Sequence, residues 1–237
     1  MTQTQLKSKP ADFLANYDTD GFAIQPEVFS AQERKDLIAA GCNLKDYKEG
    51  IFKPAMMPHR ENPLFLGALK NPAIVDTMER ILGGKVSGLQ TEFFYCKPGT
   101  RGFSNHQDNF FVQAPMGAFG SAWVALTDTY KEKGGLIVYP GTQKEGLLPI
   151  QKLALSKDAG QDPNANNEET VVPPQYKPVN ASVPAGASLY IHGHLVHGSN
   201  ANATDEWRYV LLMTYVRKGE PFRAGKYAGR AEVDVYS

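Results

Sequence analysis

The sequence predicts a mainly β fold, a sandwich or barrel, preceded by scaffold helices. Apolar residues from about position 86 gather in short runs, at 89–97, 120–128, 136–139, 188–197 and 207–217. Clusters of Gly, Pro, Asn and Asp separate these runs, the pattern of a sandwich or barrel and not of alternating βαβ units. The helical signals, by contrast, lie in the first 85 residues.

In chain order, residues 12–17 read as a short helix, 18–21 as a turn and 22–24 as a brief strand. Gly21 suits the positive φ that such a turn often needs. Ser30 and Glu33 form a capping box, in which hydroxyl and carboxylate satisfy free amides at the start of a helix. That helix is expected to stop at Gly41. Residues 54–63 read as a loop, and 72–82 as an amphipathic helix with Val75, Met78, Ile81 and Leu82 on one face, ending at Gly83 and Gly84. The layout expected is a single domain over 1–237, with a mostly helical flank at 1–85, a β core at 86–217 and a C-terminal tail at 218–237. Within the core, 157–180 is a long polar loop rich in Asn, Pro and Glu, the composition of a surface insertion or lid.

A chain of 237 residues, 42% hydrophobic and 21% charged, is ordinary for a globular protein. Its formal net charge of zero offers no basic field, so neither nucleic acid nor an anionic membrane is expected as a partner. No run is apolar and long enough to span a bilayer, and no apolar signal core follows Met1, which makes a cytoplasmic location the expectation. Cys42 and Cys96 are far apart in sequence and read as reduced, packed thiols. Oligomeric state is not legible.

The residues that carry chemistry begin at His106-Gln107-Asp108. On extended chain, side chains two apart share a face, so His106 and Asp108 can hold one ion together. A third ligand is needed, and His197 can supply it. Two His and one carboxylate on one side of a metal form the facial triad of non-haem Fe(II) oxygenases. His192 and His194 share the opposite strand face and cannot join His197 on one ion. If 197 and 208 belong to one antiparallel hairpin, Arg208 stands opposite His197, with Cβ atoms about 4.5–5.5 Å apart. A guanidinium there suits a small diacid that chelates the metal at its other end, or else pairs with Asp205 or Glu206. Ser199 could donate to the same carboxylate or cap the turn.

These residues, with the segments Ala122-Trp123-Val124-Ala125-Leu126, Gly134-Gly135-Leu136-Ile137-Val138-Tyr139-Pro140-Gly141-Thr142-Gln143-Lys144 and His197-Gly198-Ser199, resemble the phytanoyl-CoA dioxygenase family over nearly the whole chain. The resemblance implies a double-stranded β-helix, or cupin-like jelly roll, with flanking α-helices, binding Fe(II), the cosubstrate 2-oxoglutarate and O₂. It implies His106, Asp108 and His197 as iron ligands, and Arg208 and Ser199 as holders of the distal carboxylate. Trp123, Tyr95, Lys97 and Gln90 fall where the family places cosubstrate contacts, and His192 at a position that does not bind iron. The expected reaction is oxidation, most simply hydroxylation, of a small-molecule C–H bond with release of succinate and CO₂. The presence of Asp108 argues against the halogenase variant, in which halide takes the carboxylate's place. A non-oxidative cupin-like isomerase or sugar-binding module is the alternative, but such a module needs no diacid pocket beside its metal. On the substrate side the expected lining is Gln107, Asn109, Phe110 and Phe111, with Arg60 or Arg223 reaching an acidic group.

Overall fold

In the computed structural model, residues 15, 17–45, 54–153 and 168–237 are described. A helical turn over 17–20 precedes β1 (Phe22–Gln25) and α1 (Ala31–Cys42). Most of the expected helix over 12–17 lies outside the described residues. β2 (Ala55–Met56), a 3-10 turn (Pro58–Arg60), α2 (Pro63–Leu69) and α3 (Pro72–Leu82) lead into β3 (Val86–Cys96). The rest of the chain comprises α4 (Asn109–Val112), β4 (Phe119–Ala125), β5 (Leu136–Val138), β6 (Ile150–Lys152), β7 (Glu168–Thr170), β8 (Val179–Asn180), β9 (Ser188–His192), β10 (His197–Ser199) and β11 (Arg208–Arg217).

The strands form a jelly roll. A six-stranded antiparallel sheet runs β1-β9-β4-β11-β3-β2, and a smaller one runs β10-β5-β8. The period of two sorts each long strand into two faces. Trp123, Ala125, Leu189, Ile191 and Val210 meet Leu136, Val138 and Leu195 between the sheets. Ala122, Val124, Tyr190, Leu211, Met213 and Tyr215 point the other way and bury the helices through Leu37, Phe65, Leu69, Ile74, Met78 and Leu82.

The alternation of β3 carries one irregularity. Its pairing with β11 shifts between Thr214 and Tyr215, so that Gln90 and Gly88 face consecutive partners and Leu89 is the extra residue of a bulge. Beyond the bulge Gln90, Glu92 and Phe94 point between the sheets. Before it Gly88 faces the helices, where a Cβ would lie 2.8 Å from Leu69 Cδ2.

The helices follow their caps. Ser30 and Glu33 form the expected capping box, Glu33 N donating to Ser30 Oγ and Ser30 N to Glu33 Oε2. α3 runs over the expected residues, from an Asn71 cap to Gly83 at φ 73°. Gly41, however, does not end α1, which continues to Cys42. It lies inside the helix because a Cβ there would overlap the Phe93 ring. α2 and β2 occupy part of the region read as loop and the stretch after it; Asn62, which caps Leu64 N, and Pro63 at the first helical position are the start signal.

Two expectations about the strands are overturned. Residues 188–197 do not make one strand: β9 ends at His192, and β10 begins at His197 in the other sheet. Nor do β10 and β11 form a hairpin. His197 pairs with Val138, and Arg208 pairs with Cys96, because the connection between β10 and β11 crosses from the small sheet to the large one. The long loop contributes β7 and β8, while 157–167 lies outside the described residues. Cys42 and Cys96 are both free thiols. Among the described residues no helix is long and apolar enough to cross a membrane.

Candidate active site

A cavity of about 350 Å³ opens between the sheets. The loop after β3 adds to the edge of β10, His106 N donating to His197 O at 2.8 Å and His197 N to His106 O at 3.0 Å. This ladder fixes both imidazoles side by side. The chain then turns helical at Asp108, φ −57° and ψ −36°, which swings its carboxylate toward them without the extended geometry expected. Asp108 Oδ1 lies 3.6 Å from His106 Nε2 and 3.7 Å from His197 Nε2. The three ligand atoms thus cluster around one point, close enough for a single metal ion.

Their surroundings prepare them as ligands. His106 Nδ1 donates to Ser104 O at 2.8 Å and His197 Nδ1 to Leu195 O at 3.1 Å, which leaves each Nε2 lone pair free for a metal. Ser121 Oγ donates to Asp108 Oδ2 at 2.6 Å, so Oδ1 is the oxygen turned to the imidazoles. Burial, then the neighbouring His197, push His106 down to about 4, so it is neutral near pH 7. Burial opposes the charge of Asp108, but His197, His106 and the Ser121 hydroxyl outweigh it and hold the carboxyl below its usual range.

Across the cavity Arg208 is 4% exposed. Its Nη1 donates to Gly134 O and its Nη2 to Cys96 Sγ at 2.9 Å, while its buried Nε has no partner. No carboxylate pairs with it among the described residues; Glu206, the alternative partner, instead accepts from Lys133. Ser199 Oγ accepts from Phe103 N at 2.9 Å and keeps its own proton to donate. Arg208, Ser199, Trp123 and Gln90 line the cavity together with the three clustered ligands.

Other expected residues fall elsewhere. Tyr95 is on the helix-facing side of β3, its ring tilted against Phe93, and Lys97 is exposed beyond the strand's end, so neither lines the cavity. Gln107 reaches the wall, but its amide is committed to Gly146 O, His194 O and Leu148 N. Asn109 is turned away from it, bound to Ala114 and His194. Phe110 and Phe111 do line it. Arg60 donates to Gly229 O, and Arg223 to Phe111 O and Phe110 O; both lie outside the cavity. Ser121, Glu92 and Arg230 are among the wall or ligand-supporting residues not foreseen. Ser121 sits two before Trp123 and Glu92 two after Gln90, so the strand period could have flagged them. Arg230 comes from the tail, where nothing in the sequence marks it.

A jelly roll with two His and one carboxylate facing a buried, unpaired Arg defines the class: a non-haem metal site with an anion pocket beside it. The model of the phytanoyl-CoA dioxygenase (PhyH) family matches residues 17–210, and the chain belongs to that family. It is 28% identical over 160 residues to phytanoyl-CoA dioxygenase domain-containing protein 1 of Danio rerio, covering 64% of this chain but only 52% of that relative. It is 24% identical over 243 residues to ectoine dioxygenase of Stutzerimonas stutzeri (strain A1501), covering 90% of this chain and 79% of that one. Among solved structures, the epimerase SnoN in complex with Fe3+, alpha ketoglutarate and nogalamycin RO superposes with a TM-score of 0.72. Its identity is 21%, over 91% of this chain and 87% of that one.

Proposed function

We propose that the protein is an Fe(II)/2-oxoglutarate-dependent dioxygenase that oxidises a C–H bond of a small molecule, most simply to the alcohol. The observation that carries this is Arg208: a buried guanidinium with an unpartnered Nε, on the far wall of a cavity that also holds His106, Asp108 and His197. An uncompensated buried charge is costly, and a diacid relieves it. A simple metal-binding cupin has no use for that pocket.

The donor set fits iron, with two neutral imidazole nitrogens and one carboxylate oxygen on one side. When bound there, iron with 2-oxoglutarate and O₂ supplies the oxidant, and the cosubstrate leaves as succinate and CO₂. The chain's own residues position and shield. Arg208 and Ser199 would hold the distal carboxylate, and Ser121 keeps Asp108 turned to the metal. Phe94, Phe103, Trp123, Leu136 and Leu212 line the cavity with apolar surface that keeps water out. Membership of a family named for phytanoyl-CoA does not extend to the substrate, since the curated and structural relatives include an ectoine dioxygenase and an epimerase.

The test is anaerobic titration with Fe(II) and 2-oxoglutarate, monitored for the visible charge-transfer band of the chelate. The band is expected to appear only when both are present. Bound iron without a band at saturating 2-oxoglutarate would sink the proposal.

A further inference from the structure

We propose that Glu92 and Arg230 form a two-charge subsite for a zwitterionic small substrate, Glu92 receiving its ammonium group and Arg230 its carboxylate. The proposal rests on the dioxygenase reading and supplies its missing substrate class.

Both residues line the cavity, Glu92 from the inward face of β3 and Arg230 from the tail that follows β11. Gln90 stands between them. Its Nε2 donates to Glu92 Oε1, and its Oε1 accepts from Arg230 Nε at 2.6 Å. One amide therefore orients both charged groups and occupies one edge of each. Arg230 is further pinned by Nη1, which donates to Phe111 O at 3.3 Å, Arg223 O at 3.4 Å and Ala224 O at 3.5 Å. That leaves Glu92 Oε2 and Arg230 Nη2 without a hydrogen-bond partner among the described residues, and no direct ion pair joins the two side chains.

Each side chain feels the other's charge, and Arg230 that of Asp108, but neither has a direct hydrogen bond to an opposite charge. A neutral ligand would leave both so, and a ligand of single charge would leave one. A molecule carrying an ammonium and a carboxylate a few atoms apart satisfies both at once, with charge-assisted hydrogen bonds at each end. The spacing is short because only the Gln90 amide separates the two. The neighbouring wall is apolar, Met56, Phe110 and Phe111, which suits the carbon skeleton of such a molecule. Burial, then the charge of Asp108, push the Glu92 carboxyl up to about 7 against the opposing pull of Gln90 and Arg230, so an ammonium group on the ligand would draw it back to the ionised form.

The experiment uses the anaerobic enzyme loaded with Fe(II) and 2-oxoglutarate, its chelate band confirming the loaded site. Thermal shift and isothermal titration then compare the proteinogenic L-amino acids, their amides and their N-acetyl derivatives as probes. At least one free amino acid is expected to bind, with its amide and its N-acetyl form each at least tenfold weaker. Glu92→Gln should erase the discrimination against the N-acetyl form alone, and Arg230→Gln that against the amide alone. If no free amino acid binds while the band is present, or if the three forms bind alike, the zwitterion proposal is overturned and the dioxygenase reading stands. Absence of the band would overturn that reading instead.

Discussion

Arg208→Met removes the guanidinium while keeping most of its volume, and it separates a cosubstrate anchor from a structural cation. In the protein without 2-oxoglutarate, Arg208 donates to Gly134 O and Cys96 Sγ but leaves Nε bare and its charge unpaired. Losing the donor to a buried carbonyl costs about 1–3 kcal/mol. Removing a buried charge that lacks a counter-ion offsets that loss or exceeds it. The variant should thus be about as stable as the parent, or more so, in urea unfolding without ligand. With 2-oxoglutarate the two must diverge. A charge-assisted contact to the distal carboxylate is worth roughly 1.5–3 kcal/mol, so its loss should raise Kd about 10- to 150-fold. At a ligand concentration about a hundred times the parental Kd, the parent should gain about 2.7 kcal/mol and the variant only about 0.3–1.4 kcal/mol. Titration of the charge-transfer band gives Kd, and urea midpoints with and without ligand give the linkage. Equal 2-oxoglutarate affinity in the two proteins would refute the assigned role, and a variant that fails to fold without ligand would show Arg208 to be structural.

Other substitutions test other links. Asp108→Ala should abolish iron binding and succinate release, whereas Ser121→Ala, which loses only the 2.6 Å hydrogen bond to Asp108 Oδ2, should weaken iron about 10- to 100-fold by competition titration. Burial, then His194, hold His192 down at about 4, below the ordinary 6.5, so the unfolded chain binds the extra proton first. Stability should therefore be full above about pH 6.5 and fall as pH drops towards 4, by up to about 3 kcal/mol. His192→Asn, which keeps an acceptor for His194 N, should flatten that slope in urea unfolding at a series of pH values. Gly41→Ala should destabilise by about 1–3 kcal/mol in the same assay, although alanine is the better helix former, because the methyl meets the Phe93 ring.

The metal half of the site was legible because its signals are local: His106 and Asp108 are two apart, and His197 sits in a short motif. Even so, the extended geometry assumed for the first pair was replaced by a turn at Asp108. Arg208 was found through a hairpin that does not exist; strand registry across two sheets is a long-range property, and the turn-rich residues between 199 and 206 look the same whether the chain returns to its neighbour or crosses over. Tyr95 and Lys97 were misplaced for a related reason, since the inward face of β3 is carried by Gln90, Glu92 and Phe94. Arg230 was invisible because its role depends on where the tail lies, and no periodicity marks the tail. The helices at Ser30 and Asn71 were readable from their caps, while Gly41 was read as a stop when its real constraint is the aromatic ring packed on it.

The extra residue in β3 sets which side chains of that strand face the cavity. Everything from Gln90 to Cys96 owes its orientation to Leu89 being unpaired opposite β11. Were Leu89 paired with Thr214 instead, every later residue would slip by one, turning Glu92 opposite Leu211 into the apolar layer under the helices and Phe93 opposite Val210 to the metal side, without altering a single side chain. A scaffold of this kind can therefore change the lining of its cavity by strand registry as well as by exchanging residues, while the proposed iron ligands lie on the loop beyond β3 and on the opposite sheet.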